Sequence, residues 1–326
     1  MCEASVPAGA LAVGKLDSGR LSSFRRLTLE SALAEISHQM DEHGVRPLLV
    51  KGAAFAHWLY DNPRERSYGD IDLLVDPREF EAAMRVLLAL DFVPRSAFEQ
   101  TKERASHHEQ LVRGGTLPVE VELHHTLRLV LAPPALLWER LTEGTQTIEV
   151  AGAVVRVPSH AASALIAVLH AAQHGDRWLP PLDDMERALD RADLQTWRQA
   201  AALAEELGSA AAFAAGLRMR PDGRELANQL KLGPTTARYE RLLASVPSSS
   251  TLSLERLVST PGVVARFRLV AAELVPARRE APNSPPTPGS PRTAGAFRTC
   301  TKRSLQIGKK LPRTVRSWTL VALHRS

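Results

Sequence analysis

The stretch "YGDIDLLV", residues 68–75, decides the fold because it places two aspartates inside an otherwise apolar run. Side chains of a strand alternate between its faces, so Asp70 and Asp72 are expected side by side on one face. Two carboxylates that close repel each other, and an unpaired charge away from water is costly. This pattern favours a divalent cation held between the two aspartates.

A second acidic segment is "VEVELHH", residues 119–125, in which polar and apolar side chains alternate. Glu120, Glu122 and His124 should therefore share one face of a strand. If this strand pairs beside the first, a third carboxylate joins Asp70 and Asp72 in an oxygen-rich site suited to Mg²⁺. Taken alone, the alternating glutamates fit a half-exposed strand equally well, whereas Asp is disfavoured in strands.

The segment "LLVKGAAFA", residues 48–56, predicts a strand that ends in Gly52 and opens into a helix at Ala53. Free backbone N–H groups and the positive end of the helix dipole attract phosphate at such a turn. Lys51 adds a positive charge beside it. Turns of this kind are common, so this segment alone is interpreted as structural.

The remaining periodicity predicts an α+β fold, with a small mixed β-sheet domain flanked by helices and followed by a helical domain. Strands are predicted over 46–52, 70–75, 107–113 and 117–127, and helices over 24–43, 53–60, 77–92, 159–174, 181–191, 193–207 and 209–219. The predicted organisation is a flexible N-terminus over 1–23, an α/β domain over 24–158, a helical domain over 159–280, and a Pro-rich linker with a basic tail, expected to be disordered, over 281–326.

Composition and charge exclude several classes of protein. The chain of 326 residues is 44% hydrophobic and 24% charged, which is ordinary for a globular protein, and its only cysteines, Cys2 and Cys300, form no disulfide framework. No signal peptide or membrane span is evident, so a cytoplasmic location is expected.

The net charge of +5 is unevenly distributed along the chain. Residues 281–326 carry nine Lys/Arg and no Asp/Glu, which leaves a net charge of −4 for the remainder. A groove for nucleic acid should be basic, so nucleic acid is not expected on the body of the protein. The tail is interpreted as a solvated basic segment, with weak nucleic-acid contact as the alternative.

The motifs together resemble the nucleotidyltransferase superfamily with a DNA-polymerase-β-like fold. Its signature is a Gly-Ser or Gly-Gly turn, a strand carrying Asp-x-Asp, and a third carboxylate on a later strand. More closely, residues 25–220 resemble a bacterial nucleotidyltransferase family with Lys-Gly, then Arg-x-x-x-Asp-Ile-Asp-Leu-Leu-Val, then Glu/Asp-Leu-His. The matching segments here are Lys51-Gly52, 66–75, Glu122-Leu123-His124 and the helical stretch "LIAVLHAAQHGDRWLPPLDDME" at 165–186.

This resemblance implies Mg²⁺-dependent transfer of a nucleoside monophosphate from an NTP, with ATP expected, to a hydroxyl of a small molecule or a protein. It implies that Asp70, Asp72 and Glu122 are catalytic and hold a two-ion Mg²⁺ site, with Glu122 also able to act as a base. The residues that would bind the nucleotide are Lys51, Gly52, Ala53 and Arg66, and the secondary candidates are Glu120, His124, His170 and Arg177.

Several interpretations stay open at this point. Ala53 stands where the superfamily has a small hydroxyl residue, which favours the alternative of a degenerate nucleotide-binding or partner protein without turnover. Arg66 fits a phosphate contact and a solvated or salt-bridged loop residue equally well. His170 and His174, one turn apart on a helix, would line a cleft or pack structurally, and Arg177 with Asp183 would form an ion pair that docks the helical domain.

Overall fold

The computed structural model describes residues 18–95, 108–175 and 178–234. Of the predicted flexible N-terminus over 1–23, residues 1–17 lie outside the described residues, whereas residues 18–23 form the first turns of a helix that begins at Ser18. The predicted helical domain beyond 234 and the predicted linker and basic tail also lie outside the described residues. Arg177, a secondary candidate of the sequence analysis, also lies outside them.

A five-stranded mixed sheet forms the first layer of the structure. Its strands are β1 (Leu48–Leu49), β2 (Ile71–Leu74), β3 (Val93–Pro94), β4 (His108–Arg113) and β5 (Val119–His124), in the order β1-β2-β5-β4-β3. Strands β2 and β5 are parallel, and the other neighbours are antiparallel. All four residues of β2 are buried, as the apolar run around Asp72 requires. The predicted α+β class with a small mixed sheet is confirmed.

Helices flank this sheet and cover its apolar residues. They are α1 (Ser18–Glu42), α2 (Ala53–Leu59), a 3₁₀ turn (Pro63–Glu65), α3 (Phe80–Ala89) and α4 (Pro134–Thr142). Helix α1 buries Leu29, Leu33, Ile36 and Met40, whose spacing places them on one face. Leu27, in the same helix, is 55% exposed.

A β-hairpin that the sequence analysis did not identify follows α4. Strands β6 (Gln146–Val150) and β7 (Ala153–Val157) pair through the two-residue turn Ala151–Gly152. Both turn residues have positive φ, 49° and 81°, as a tight hairpin turn between twisted strands demands. Val150, Val155 and Val157 pack into the same hydrophobic cluster as α1 and the sheet.

The second layer is helical, as predicted. It contains α5 (His160–His174), α6 (Leu179–Arg191), α7 (Leu194–Glu206), α8 (Ala210–Leu217) and α9 (Pro221–Gln229). Helix α5 begins at the N-cap Ser159, whose hydroxyl accepts a hydrogen bond from the amide of Ala162. It is the central helix, since α6, α7 and α8 all pack against it.

The helical layer and the sheet layer share one hydrophobic core. Leu48, Phe55 and Leu74 belong to the same buried cluster as Leu165 and Leu169 of α5. The two layers therefore meet through apolar side chains, and the carboxyl ends of β2 and β5 lie close to α5 and α6. Among the described residues, no helix combines the length and the apolar character needed to cross a bilayer.

Candidate active site

A cavity of about 1130 Å³ lies between the sheet and the helical layer. Its walls contain most of the residues that the sequence analysis selected. These are Lys51, Gly52, Arg66, Asp70, Asp72, Glu122, His124 and His170. The cavity thus brings together segments separated by more than one hundred positions in the chain.

The two acidic segments meet because β2 and β5 are neighbours. Asp72 lies directly opposite Glu122 in the parallel register, and Leu74 lies opposite His124. Side chains at paired positions of adjacent strands point to the same face. The expected adjacency of the two acidic strands is therefore confirmed, and Asp70 lines the same cavity just before β2.

Asp72 is the most tightly held carboxylate of the cavity, being only 2% exposed. The ammonium of Lys51 lies 2.5 Å from its Oδ1 atom, and Nε2 of His124 lies 3.0 Å from the same oxygen. Burial alone would raise the pKa of Asp72, but the charge of Lys51 and the hydrogen bond with His124 hold this pKa below its usual range. Asp72 is therefore ionised at neutral pH.

Asp70 has the opposite electrostatic character. Burial, together with the negative charges of Asp72 and Glu122, raises the pKa of Asp70 to about 7. Three carboxylates within electrostatic reach of one another thus have too little positive charge nearby to ionise fully. This excess of negative charge is the feature expected of a site that accepts a divalent cation.

Glu122 is surrounded by groups from β4 and β5. Its Oε2 atom lies 3.4 Å from Nε2 of His124, and its Oε1 atom lies 3.5 Å from Nε2 of His108. The side-chain amide of Gln110 donates to the same Oε1 atom at 3.3 Å. Burial would raise the pKa of Glu122, but the hydrogen bond with His124 outweighs it and lowers this pKa.

His108 and Gln110 also lie near Glu122, although neither was predicted from the sequence as a site residue. In the antiparallel β4–β5 pair, His108 lies opposite His124 and Gln110 lies opposite Glu122. Both therefore point to the cavity face, a placement that the alternation in "HHEQLVR" could have indicated. Burial lowers the pKa of His108 to about 4, so its ring is neutral at neutral pH.

Arg66 connects the sheet layer to the helical layer through α6. Its guanidinium donates two hydrogen bonds to the carboxylate of Asp184, each 2.7 Å long, and one of 2.9 Å to the carbonyl oxygen of Gly52. Asp184 is 1% exposed and also accepts a hydrogen bond from the hydroxyl of Tyr60. The sequence analysis assigned the docking role to Arg177 and Asp183, but Asp183 is exposed. Among the described residues, Arg66–Asp184 is the buried ion pair between this loop and α6.

Gly52 adopts a backbone conformation that residues with a side chain rarely take. Its φ of 55° is in the left-handed region, and an added Cβ would meet the backbone oxygen of Asp70 at 3.5 Å. A residue with a side chain would be strained there. The turn at Gly52 thereby brings Lys51 close to Asp72 and gives Arg66 a carbonyl to bind.

The helical layer presents an aromatic wall to the same cavity. The ring centroids of His174 and Trp178 are 4.6 Å apart, and those of His170 and His174 are 4.8 Å apart. Burial and the charge of Lys51 lower the pKa of His170 well below its usual range, so its ring is neutral. Its Nδ1 atom is buried without a hydrogen-bond partner.

Comparison with known proteins identifies the family of this chain. Residues 15–221, well over half of the sequence, match the family described as "Uncharacterised nucleotidyltransferase". The chain belongs to this family. Its matched region contains every residue of the cavity wall discussed above, so the family assignment and the site concern the same part of the molecule.

Two solved structures are similar to this family member at low identity. One is an antigenic nucleotidyltransferase-like protein from Paracoccidioides brasiliensis, with 18% identity, a TM-score of 0.43, and coverage of 68% of this chain and 98% of that chain. The other is the antibiotic-resistance factor ANT(2″)-Ia, with 13% identity, a TM-score of 0.40, and coverage of 56% and 95%. No curated protein matches the chain.

Two candidates of the sequence analysis lie away from the cavity of this nucleotidyltransferase family member. Glu120 forms an ion pair with Arg95 at 3.0 Å, and Ala53 is buried in the core beneath the Gly52 turn. Neither contributes to the cavity wall. The Ala53 side chain therefore cannot contact a phosphate, and in this turn only the backbone could do so.

Proposed function

We propose that this protein is a Mg²⁺-dependent nucleotidyltransferase, which moves a nucleoside monophosphate from an NTP to a hydroxyl of a small molecule or a protein. The observation that carries the proposal is the pairing of Asp72 with Glu122 on adjacent parallel strands, with Asp70 facing the same cavity. Membership of a nucleotidyltransferase family supports the reaction class.

The donor chemistry of the cavity suits magnesium, although Asp70, Asp72 and Glu122 are not a set of described residues whose ligand atoms all lie within 4.8 Å of one another, so binding one ion would require side-chain rotation. Asp70, Asp72 and Glu122 offer carboxylate oxygens, which are the ligands that hard divalent cations prefer. The pKa of Asp70, raised to about 7 by burial and by the two other carboxylates, indicates that the site needs additional positive charge. When bound there, Mg²⁺ would neutralise phosphate charge and favour attack by an oxygen on phosphorus.

The chain's own residues then have separate tasks. Asp70, Asp72 and Glu122 would hold the metal, and the Lys51 ammonium would face the triphosphate from beside Asp72. Glu122, whose pKa is lowered, is ionised and can accept the proton of the acceptor hydroxyl. The acceptor oxygen forms a bond to the α-phosphorus, the bond between that phosphorus and the bridging oxygen breaks, and pyrophosphate leaves.

The volume of the cavity and the net charge of the chain before the basic tail bear on the acceptor. Arg66 is committed to Asp184 and the Gly52 carbonyl, so its role would be to position the phosphate-binding turn. The net negative charge of residues 1–280 disfavours a polynucleotide acceptor. A small molecule or a protein side chain with a free hydroxyl is consistent with a cavity of this volume.

The test is incubation of the full chain with each labelled NTP and Mg²⁺, with detection of pyrophosphate and of label on the protein or on added acceptors. Asp70→Asn and Glu122→Gln should each reduce turnover by about 10²-fold or more, because each removes charge from the reacting centre. Glu120→Gln is the matched control on the same strand and should retain turnover. Equal loss in all three variants would remove the support for the assigned carboxylates.

A second function is favoured by one observation. Ala53 replaces the hydroxyl residue of the superfamily, and it is buried, so the protein would bind a nucleotide without transferring it. Equilibrium dialysis with labelled ATP separates the two functions. Saturable binding without pyrophosphate release for any NTP would establish the binding protein and reject the enzyme.

A further inference from the structure

Three donor groups on strands β4 and β5 converge at one edge of the cavity. They are the rings of His108 and His124 and the carboxylate of Glu122, and their nearest donor atoms all lie within 4.8 Å of one another. Nε2 of His108 is 3.5 Å from Oε1 of Glu122, and Nε2 of His124 is 3.4 Å from Oε2. This cluster differs from the carboxylate trio because two of its three donors are nitrogen.

These separations match the dimensions of a compact metal site. Metal–ligand bonds of about 2.0–2.1 Å in a tetrahedral site place neighbouring donor atoms about 3.3 Å apart. The two His–Glu separations are within a few tenths of an ångström of that spacing. The two distances run to different oxygens of Glu122, and the three donors as a set span up to 4.8 Å, so binding of one cation would require side-chain rotations that bring them closer.

The backbone holds the three donors in place. His108 and His124 are directly opposed in the antiparallel pair, and Gln110 is opposed to Glu122. The Gln110 amide donates to Glu122 at 3.3 Å, which is the kind of supporting hydrogen bond that orients a metal ligand. Asp72, whose Oδ1 is 3.0 Å from Nε2 of His124, lies beside this cluster without being one of its three members.

We propose that His108, Glu122 and His124 form a binding site for a borderline divalent cation such as Zn²⁺, distinct in donor chemistry from the all-oxygen Mg²⁺ site and sharing Glu122 with it. Imidazole ligands suit zinc and the neighbouring transition metals, whereas Mg²⁺ prefers oxygen alone. The inference concerns binding, and it holds whether or not the protein transfers nucleotides.

The experiment titrates Co²⁺, a spectroscopic substitute for Zn²⁺, into the metal-free, tag-free full chain at about pH 8, because metal ligation requires deprotonated imidazole. Burial would lower the pKa of His124, but its hydrogen bonds with Asp72 and Glu122 outweigh this effect and raise the pKa, so metal binding would have to displace a proton from this ring. The wild type should show the visible absorption of a four- or five-coordinate Co²⁺ site. Zn²⁺ should abolish this absorption at stoichiometric amounts, and millimolar Mg²⁺ should not. An absorption that Mg²⁺ removes as readily as Zn²⁺ would overturn the proposal, because it would place the cobalt in the all-oxygen site.

Variants locate the site among the histidines. His108→Gln should weaken Co²⁺ binding at least tenfold, whereas His125→Gln should bind as the wild type does, because His125 lies on the other face of the sheet against Phe80. His108→Cys restores a donor at the same position and should recover binding with a new thiolate charge-transfer band. Wild-type affinity in His108→Gln, or no recovery in a folded His108→Cys, would reject the site.

One further variant separates this site from the proposed enzyme. Asp70→Asn removes a ligand of the Mg²⁺ site but none of the three donors proposed here. It should therefore lose nucleotide transfer and keep the Co²⁺ absorption. Loss of the absorption in Asp70→Asn would show that the cobalt was bound by the aspartates, and the nitrogen-containing site would be rejected while the enzyme proposal stood.

Discussion

The two walls of the cavity are built differently. The sheet wall concentrates ionised groups, with Asp72, Lys51, Glu122 and His124 within about one hydrogen-bond length of a neighbour. The helical wall presents neutral rings, among them His170 with its strongly lowered pKa and the half-exposed Trp178. Charged groups are therefore concentrated on the strands, where pairing fixes the positions of their side chains, and the helices contribute neutral side chains to the cavity wall.

The contrast has a physical reason. Adjacent strands hold paired residues at nearly constant separation, so a sheet can position several charged atoms within fractions of an ångström. A helix presents one residue per turn on a given face and carries fewer convergent groups. The walls are joined by ion pairs between α6 and the loop before β2, and these pairs differ greatly in burial.

The largest effect on folding is expected where the walls are joined, at Asp184. Asp184→Asn leaves the buried guanidinium of Arg66 without a negative partner, and breaking such a pair costs about 3–5 kcal/mol. We expect a large decrease in the free energy of unfolding, measured by urea denaturation. Asp183→Asn changes the adjacent exposed aspartate and is the matched control. Equal or greater destabilisation by the control would mean that Asp183, and not Asp184, stabilises the contact between the two layers.

Asp184 also shows why this joint could not be predicted from the sequence. "DDME" contains two adjacent aspartates, and only the phase of α6 decides which one points inward. Its partner Arg66 is 118 positions away, in a loop with no periodicity to indicate its direction. The ion pair predicted from the sequence, Arg177–Asp183, stays a prediction because Arg177 lies outside the described residues, and the buried pair Arg66–Asp184 was not predicted.

The sheet wall was more predictable because its pattern is local. The alternation around Asp72 and Glu122 specified both the strands and the face. The turn at Gly52 followed from a glycine between a predicted strand and a predicted helix, although the strand ends earlier than predicted, at Leu49. His108 lay in a predicted strand, but the alternation of that strand was not used to place His108 on the cavity face. The β6–β7 hairpin was missed although Ile148 and Val150 alternate with polar residues before Gly152.

The next effect concerns the charge of the sheet wall itself. The pKa of Asp70 is about 7 in the folded protein and 3.8 in the unfolded chain. The folded state therefore binds more protons than the unfolded state between these values, and the free energy of unfolding falls as the pH rises from about 4 to 7. Asp70→Asn removes this penalty in metal-free buffer. We expect a gain on the order of 2–4 kcal/mol at and above pH 7 and almost none near pH 4.

The measurement is urea denaturation of both proteins in chelator across that pH range, with Glu120→Gln as the control. If the gain of Asp70→Asn were the same at pH 4 and pH 7, repulsion among the carboxylates would not be its cause. With saturating Mg²⁺ the wild type should recover stability and the variant should not, since the lost carboxylate is a proposed ligand.

A smaller effect is expected on the helical wall. Trp178→Ala removes a ring that is 49% exposed and contacts His174, so stability should change little. If this wall only shapes the cavity, substrate binding should weaken by up to about tenfold with kcat nearly unchanged, as the loss of an aromatic contact allows. Trp178→Phe should restore most of the affinity. A fall in kcat matching that of Asp70→Asn would place Trp178 with the reacting groups and erase the distinction between the walls.

The smallest effect tests the role of burial most directly, because the two ion pairs compared have the same nitrogen–oxygen distance. Arg191 on α6 also reaches the loop after α2, and its guanidinium lies 2.7 Å from Oδ1 of Asp61, the same separation as in the Arg66–Asp184 pair. The Asp61 side chain is 92% exposed, however, and that of Asp184 is 2% exposed. Water screens the Arg191–Asp61 pair and solvates either partner when the other is removed.

Arg191→Ala should therefore leave the urea midpoint indistinguishable from that of the wild type, in low salt and in high salt. A loss comparable to that of Asp184→Asn would mean that contact distance, and not burial, determines the strength of the joint between the two walls.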